Sequence, residues 1–205
     1  VSPVRISAPS FLDYMHSTPR GCINIVKSQR KMYLDQESKG DIFYGPFRTA
    51  LRQCFNSVTP PLVIAEAVNH ANEAQQPHFA ELEAGFIRWW RRTKATGVRV
   101  ANSTWRNGSL EVKLHRLIGL RYSAEKTEVV FPYVKEPELT PDAANPMLRV
   151  LEQEMPSLLP GARPMLLDVR RGKPFRLRRN TNRNDLDALL AAEAAKYTTH
   201  WQSAA

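Results

Sequence analysis

Residues 98–122 read VRVANSTWRNGSLEVKLHRLIGLRY. Leu110, Val112, Leu114, Ile118, Leu120 and Tyr122 share one parity, broken only at Arg116, while Glu111, Lys113 and His115 occupy the other. Side chains of a strand alternate between two faces, so this period marks strand with one face in a core. Asn107-Gly108 lies between two such runs and favours a type I′ hairpin turn, whose central residues both need positive φ. The pattern predicts strands Val98–Trp105 and Ser109–Tyr122 joined at that dipeptide.

Beyond the hairpin, Lys126 to Lys135 (KTEVVFPYVK) predicts a third strand, with Pro132 marking an edge or bulge because proline has no N–H. Pro146 opens a helix to about Met155. Pro164 to Arg171 (PMLLDVRR) suits a buried strand, Phe175 to Arg178 a return strand, and Asn184 caps a closing helix to about His200. Before the hairpin the period turns helical. Pro46 starts a helix to about Asn56, and Thr59-Pro60-Pro61 starts one to near Glu73. After Pro77, the series Phe79, Leu82, Phe86 and Trp89 predicts a packed helix face running on to Arg91, Arg92 and Lys94 and stopped by Gly97. Ser10 to Met15 suits a short helix, and the β-branched run Gly21 to Lys27 (GCINIVK) a short strand. Linker-like breaks at Ser38-Lys39-Gly40 and Lys135 to Asp142 are too short to divide the chain. The expected architecture is a single α+β domain over residues 1–205. Its helical part, about 41–95, packs on a mostly antiparallel sheet in about 96–205, with one crossing helix and a C-terminal helix.

Hydrophobic residues make up 42% and charged residues 24% of the 205, as in globular chains. No apolar run approaches the ~18 residues of a membrane span, and Val1 to Ser10 shows no secretory pattern. The two cysteines, Cys22 and Cys54, form no C-x-x-C pair. Reduced, buried thiols in a cytoplasmic protein are expected, with no zinc site. The five histidines form no ligand pair. Nucleophile-elbow, Walker A and Rossmann glycine signatures are absent, which disfavours the hydrolases and nucleotide enzymes built on them.

The net charge of +9 is carried mainly by arginine, whose planar fork grips phosphates bidentately. Arg170, Arg171, Lys173, Arg176, Arg178 and Arg179 follow one another without an intervening acid. On a strand Phe175 and Leu177 would point inward and Arg176 and Arg178 outward, building a cationic ridge. A second acid-free group, Arg88, Arg91, Arg92, Lys94 and Arg99, is interleaved with Trp89 and Trp90. Cations neutralise phosphates, and an exposed indole, Trp90 rather than Trp89, can stack on a base. These features predict a nucleic-acid-binding accessory protein, DNA or RNA undecided, that needs no cofactor. Asp168, inside an apolar run, is expected to pair with a nearby arginine, since an unpaired buried carboxylate is costly.

An enzymatic alternative rests on Glu111-Val112-Lys113, where carboxylate and ammonium share a strand face. The order of a helix, three strands, a helix and a strand resembles that of restriction-endonuclease-like nucleases. That resemblance implies Mg²⁺ held by Glu111 and a further acid on the preceding strand, with Lys113 stabilising charge; Glu128, on the next strand, would have to substitute and does not match that pattern. The chain departs from it in Val98 to Trp105, which has no acid. A third possibility is a non-enzymatic subunit whose basic face meets an acidic protein.

Overall fold

The structure, a computed structural model, describes residues 2–35, 43–124 and 126–204. The break expected at Ser38-Lys39-Gly40 lies outside them. The fold is α+β, with helix outweighing strand and two mixed sheets.

The chain starts with β1 (Val4–Ser7), α1 (Ala8–Met15) and α2 (Pro19–Leu34), then three helices: α3 (Gly45–Cys54), α4 (Pro60–Asn69) and α5 (Gln76–Trp90). α2 replaces the strand expected at Gly21 to Lys27. The Thr18 side chain accepts a bond from Gly21 N, Pro19 opens the first turn, and Cys22, Val26 and Gln29 are buried at helical spacing. The unfavourable helix propensity of Ile23, Ile25 and Val26 is a few tenths of a kcal/mol each, and burial of one face outweighs it. α4 stops at Asn69, earlier than expected. α5 stops at Trp90, so Arg91 to Lys94 leave the helix and Gly97 enters a strand instead of capping.

The strands are β2 (Thr96–Val98), β3 (Ser103–Asn107), β4 (Leu110–Leu114), β5 (Ile118–Ser123) and β6 (Lys126–Tyr133). Then come α6 (Pro141–Leu158), β7 (Arg163–Asp168), β8 (Lys173–Phe175) and α7 (Arg183–Ser203). The single sheet expected from the sequence is two: β1-β4-β3, and β2-β5-β6-β7-β8. Each long predicted strand is divided between them. The parity break at Arg116 is the division, and Arg116 there takes φ +59°, a conformation a non-glycine side chain rarely adopts. β3 and β4 pair antiparallel with Asn107 opposite Leu110. The two-residue loop is therefore Gly108-Ser109, with φ +55° at Gly108. Glycine at the first central position is what a type II′ turn requires, so the turn sits one residue later than the type I′ expectation.

β1 adds parallel to β4, and β7 parallel to β6 across α6. β6 is central, contrary to the edge position inferred from Pro132. The β5 ladder ends at Ile118–Val130, so Pro132 has only β7 beside it. α6 begins at Pro141 behind a Thr140 cap, five residues earlier than expected, and α7 begins behind Asn182 instead of Asn184. β6 and β7 are buried on both faces. Val129, Phe131 and Leu166 join the core formed with α1, α2, α6, α7 and the small sheet. Val130, Met165 and Leu167 join the core under α3, α4 and α5. α5 lies directly on the β7–β8 turn: a Cβ at Gly85 would stand 2.0 Å from Val169 O. Gly172 in that turn has φ +62°, and its own Cβ would approach Gly85 O to 2.5 Å.

Among the described residues no helix is long and apolar enough to cross a membrane. Cys22 and Cys54 are buried and unpaired.

Candidate nucleic-acid interface

The two arginine groups fare differently once folded. In the C-terminal group four of the six cations meet carboxylates. Arg170 is buried and pairs with Glu81 on α5. Arg171 pairs at 3.1 Å with Asp168, whose side chain is fully buried, and donates to Glu136 O at 2.6 Å. Asp168 also accepts bonds from Leu139 N and Arg171 N, so the arginine partner expected for it is Arg171. Lys173 lies 3.4 Å from Glu138. Arg176 grips Glu128 with both nitrogen arms, at 2.6 and 3.0 Å.

The strand expected over Phe175 to Arg178 ends at Phe175, so the outward ridge of Arg176 and Arg178 does not form. Arg176 turns to the buried Glu128 on β6 instead. A carboxylate with 2% exposure needs such a partner. Arg178 and Arg179 are exposed, and no partner for their side chains exists among the described residues. Their carbonyls accept bonds from Arg183, which anchors the loop before α7.

The first group is largely unpaired. Arg88, on the last turn of α5, donates to Arg170 O at 3.1 Å. With Glu81, Ala84, Arg170 and Arg171 it lines a concavity of about 290 Å³, where the two groups adjoin. Arg91, Arg92, Lys94 and Arg99 are exposed, and none has a carboxylate partner among the described residues. Trp89 is buried. Trp90 is half-buried, stacked on Phe86 at 6.1 Å with an 8° interplanar angle and edge-on to Phe55. Its ring therefore belongs chiefly to the helical core, and less of it is free for a base than the sequence suggested.

Sheet pairing adds a cation that sequence reasoning missed. Thr96 lies opposite Arg121 in the β2–β5 ladder. A groove of about 480 Å³ opens there, lined by Lys94, Thr96, Arg121, Tyr122 and Ser123 with two alanines. Lys126 sits 4.7 Å over the Tyr122 ring. Burial, then the Glu128 carboxylate, push the Tyr122 phenol up, so it stays protonated beside that carboxylate. Burial also pushes the Glu128 carboxyl up, but Arg176 and then Tyr122 outweigh it and hold it below the usual carboxylate range. A charge count over residues 84–127 would have exposed this surface: ten Lys or Arg against two acids, Glu111 and Glu125.

The two carboxylates of the enzymatic alternative lie on different sheets, each held by arginine. Glu111 is on β4 of the small sheet and Glu128 on β6 of the large one. Glu111 is clasped between Arg5, at 2.8 Å, and Arg106, at 3.3 Å. The Arg5 bond, against a smaller push from burial, and the Arg106 bond hold it below its ordinary value. Lys113 is exposed on the same outer face. Among the described residues no group of three His, Cys, Asp or Glu is arranged to hold a metal ion.

No family model, curated protein or solved structure matches this chain.

Proposed function

We propose that the protein is a nucleic-acid-binding accessory protein that contacts the phosphate backbone through the cations following α5. Arg91, Arg92, Lys94 and Arg99 form the contact surface, Arg88 extends it toward the β7–β8 turn, and Arg178 and Arg179 supply a further exposed pair. The observation that supports this assignment is the contrast in pairing. Arg170, Arg171, Lys173 and Arg176 spend their charge on Glu81, Asp168, Glu138 and Glu128. The cations after α5 have no such partner among the described residues. A cation with no carboxylate beside it keeps its attraction for phosphate and releases counterions on binding. The reading calls on no cofactor. Buried unpaired thiols fit a reducing compartment such as the cytoplasm.

The test is fluorescence anisotropy with labelled single- and double-stranded oligonucleotides. The variant Arg91→Ala/Arg92→Ala/Arg99→Ala should bind either form about tenfold or more weakly, since hydrogen bonds to charged groups contribute about 1.5–3 kcal/mol each. Lys173→Ala should bind as the parent does. Equal affinity of the triple variant and the parent, or capture of an acidic protein with no oligonucleotide binding, would overturn the proposal.

A further inference from the structure

We propose that the groove between the α5–β2 connection and the β5–β6 turn is a binding site for a phosphomonoester, either a nucleoside monophosphate or the phosphorylated end of a strand. The inference deepens the nucleic-acid reading above and rests on it only for the strand-end source.

The site is built by sheet pairing. Thr96 and Arg121 are directly opposed on β2 and β5. Ser123 follows at the register shift where β5 meets β6, and Lys94 projects from the connection that leads into β2. The two cations and two hydroxyls line one concavity of about 480 Å³, within the range that small-molecule sites occupy. Lys94 and Arg121 are exposed and have no carboxylate partner among the described residues.

Among the described residues, the neighbouring carboxylate that would compete is already engaged. Glu128 is held by both arms of Arg176, and Lys126 covers the Tyr122 ring at 4.7 Å. Arg121 therefore lines the groove with no carboxylate partner among the described residues.

The donor set discriminates between phosphate types. A terminal phosphate carries a charge of about −1.5 to −2 near neutrality and offers three acceptor oxygens. An internal phosphodiester carries one charge and continues as chain on both sides. Two cations flanked by two hydroxyl donors match the first: Arg121 offers a planar fork to two oxygens, Lys94 a point charge, and Thr96 and Ser123 neutral donors.

The experiment titrates ¹⁵N-labelled protein with 5′-AMP, and separately with adenosine. AMP should shift the amides of residues 94–96 and 121–124, and adenosine should not. Arg121→Ala should weaken AMP by about tenfold or more, the loss expected for a charged hydrogen-bonding partner. Lys94→Ala/Ser123→Ala serves as an independent second variant should Arg121→Ala fold poorly, with the melting midpoint as control. A second arm compares a short oligonucleotide with and without a 5′-phosphate. Tighter binding of the phosphorylated form names the strand end as the source, and AMP binding without that preference names the free nucleotide. Failure of AMP to bind, or undiminished binding by both folded variants, overturns the site even if oligonucleotides bind elsewhere. AMP binding without any oligonucleotide binding removes the backbone-contact reading and leaves the groove assigned.

Discussion

Replacing Arg176 by Ala separates a guanidinium that holds the fold from one that holds phosphate. Arg176 bonds both oxygens of Glu128, at 2.6 and 3.0 Å, beneath a side-chain exposure of 2% at the carboxylate. Breaking a buried pair from one side costs about 3–5 kcal/mol. Arg176 is itself 43% exposed, so water takes part of its place, and the protonated Tyr122 phenol still favours the charged carboxylate. The expected loss is therefore about 2–3 kcal/mol. Urea unfolding across a pH series measures it. In the parent, Glu128 titrates below its unfolded value, so its contribution is complete above about pH 4.3 and lost as pH falls through the folded value. In Arg176→Ala the burial effect is left to dominate and the folded value rises. Protonation then relieves the stranded charge, and the deficit should be greatest near neutrality and shrink toward about pH 4. Glu128→Gln in the Arg176→Ala background should recover about 1–2 kcal/mol, because a neutral amide costs less to bury. A deficit under about 0.5 kcal/mol near neutrality, or one that does not change with pH, would show that Glu128 does not depend on Arg176.

Gly85→Ala should destabilise the protein by about 1–3 kcal/mol in urea, because the new methyl meets the Val169 and Arg170 carbonyls; the clash outweighs the roughly 1 kcal/mol helix-propensity gain. Burial pushes the Cys54 thiol up to about 12 and raises Cys22 as well. Neither should react with iodoacetamide in the native protein near neutral pH, and both should in denaturant. Mass spectrometry of the alkylated chain decides, and rapid native labelling would contradict the packing. Asp187→Asn removes the carboxylate charge that Arg149 grips with two bonds and leaves Glu152 shared between Arg149 and Arg183. It should cost about 1–2 kcal/mol and raise hydrogen exchange in the first turns of α7 before the sheets are affected.

Local chemistry carried much of the fold into the sequence. Prolines located α3, α4 and α5, although Thr59 makes no side-chain cap, and alternation located β4 and β5. The sequence pattern did not show that β4 and β5 belong to different sheets, although Arg116 marked the point in the parity series. The parallel β1–β4 pair was illegible because it joins segments more than 100 residues apart, as Val4 opposite Leu110 shows. Gly21 to Lys27 misled because β-branched side chains report a weak local preference that tertiary burial overrides. At the candidate site the cations were visible but their partners were not. Glu128 lies 48 residues from Arg176, and Glu81 lies 89 from Arg170. A run of arginines shows where charge is available, and only the folded chain shows where it is already matched.

Duplex binding across a salt series reads phosphate contact by the cations after α5. Each phosphate neutralised contributes about −0.9 to the slope of log affinity against log salt. The account predicts a clearly negative slope for the parent, made shallower by about 2–3 in Arg91→Ala/Arg92→Ala/Arg99→Ala and unchanged in Lys173→Ala. A parent slope near zero, or the same slope in parent and triple variant, would contradict it.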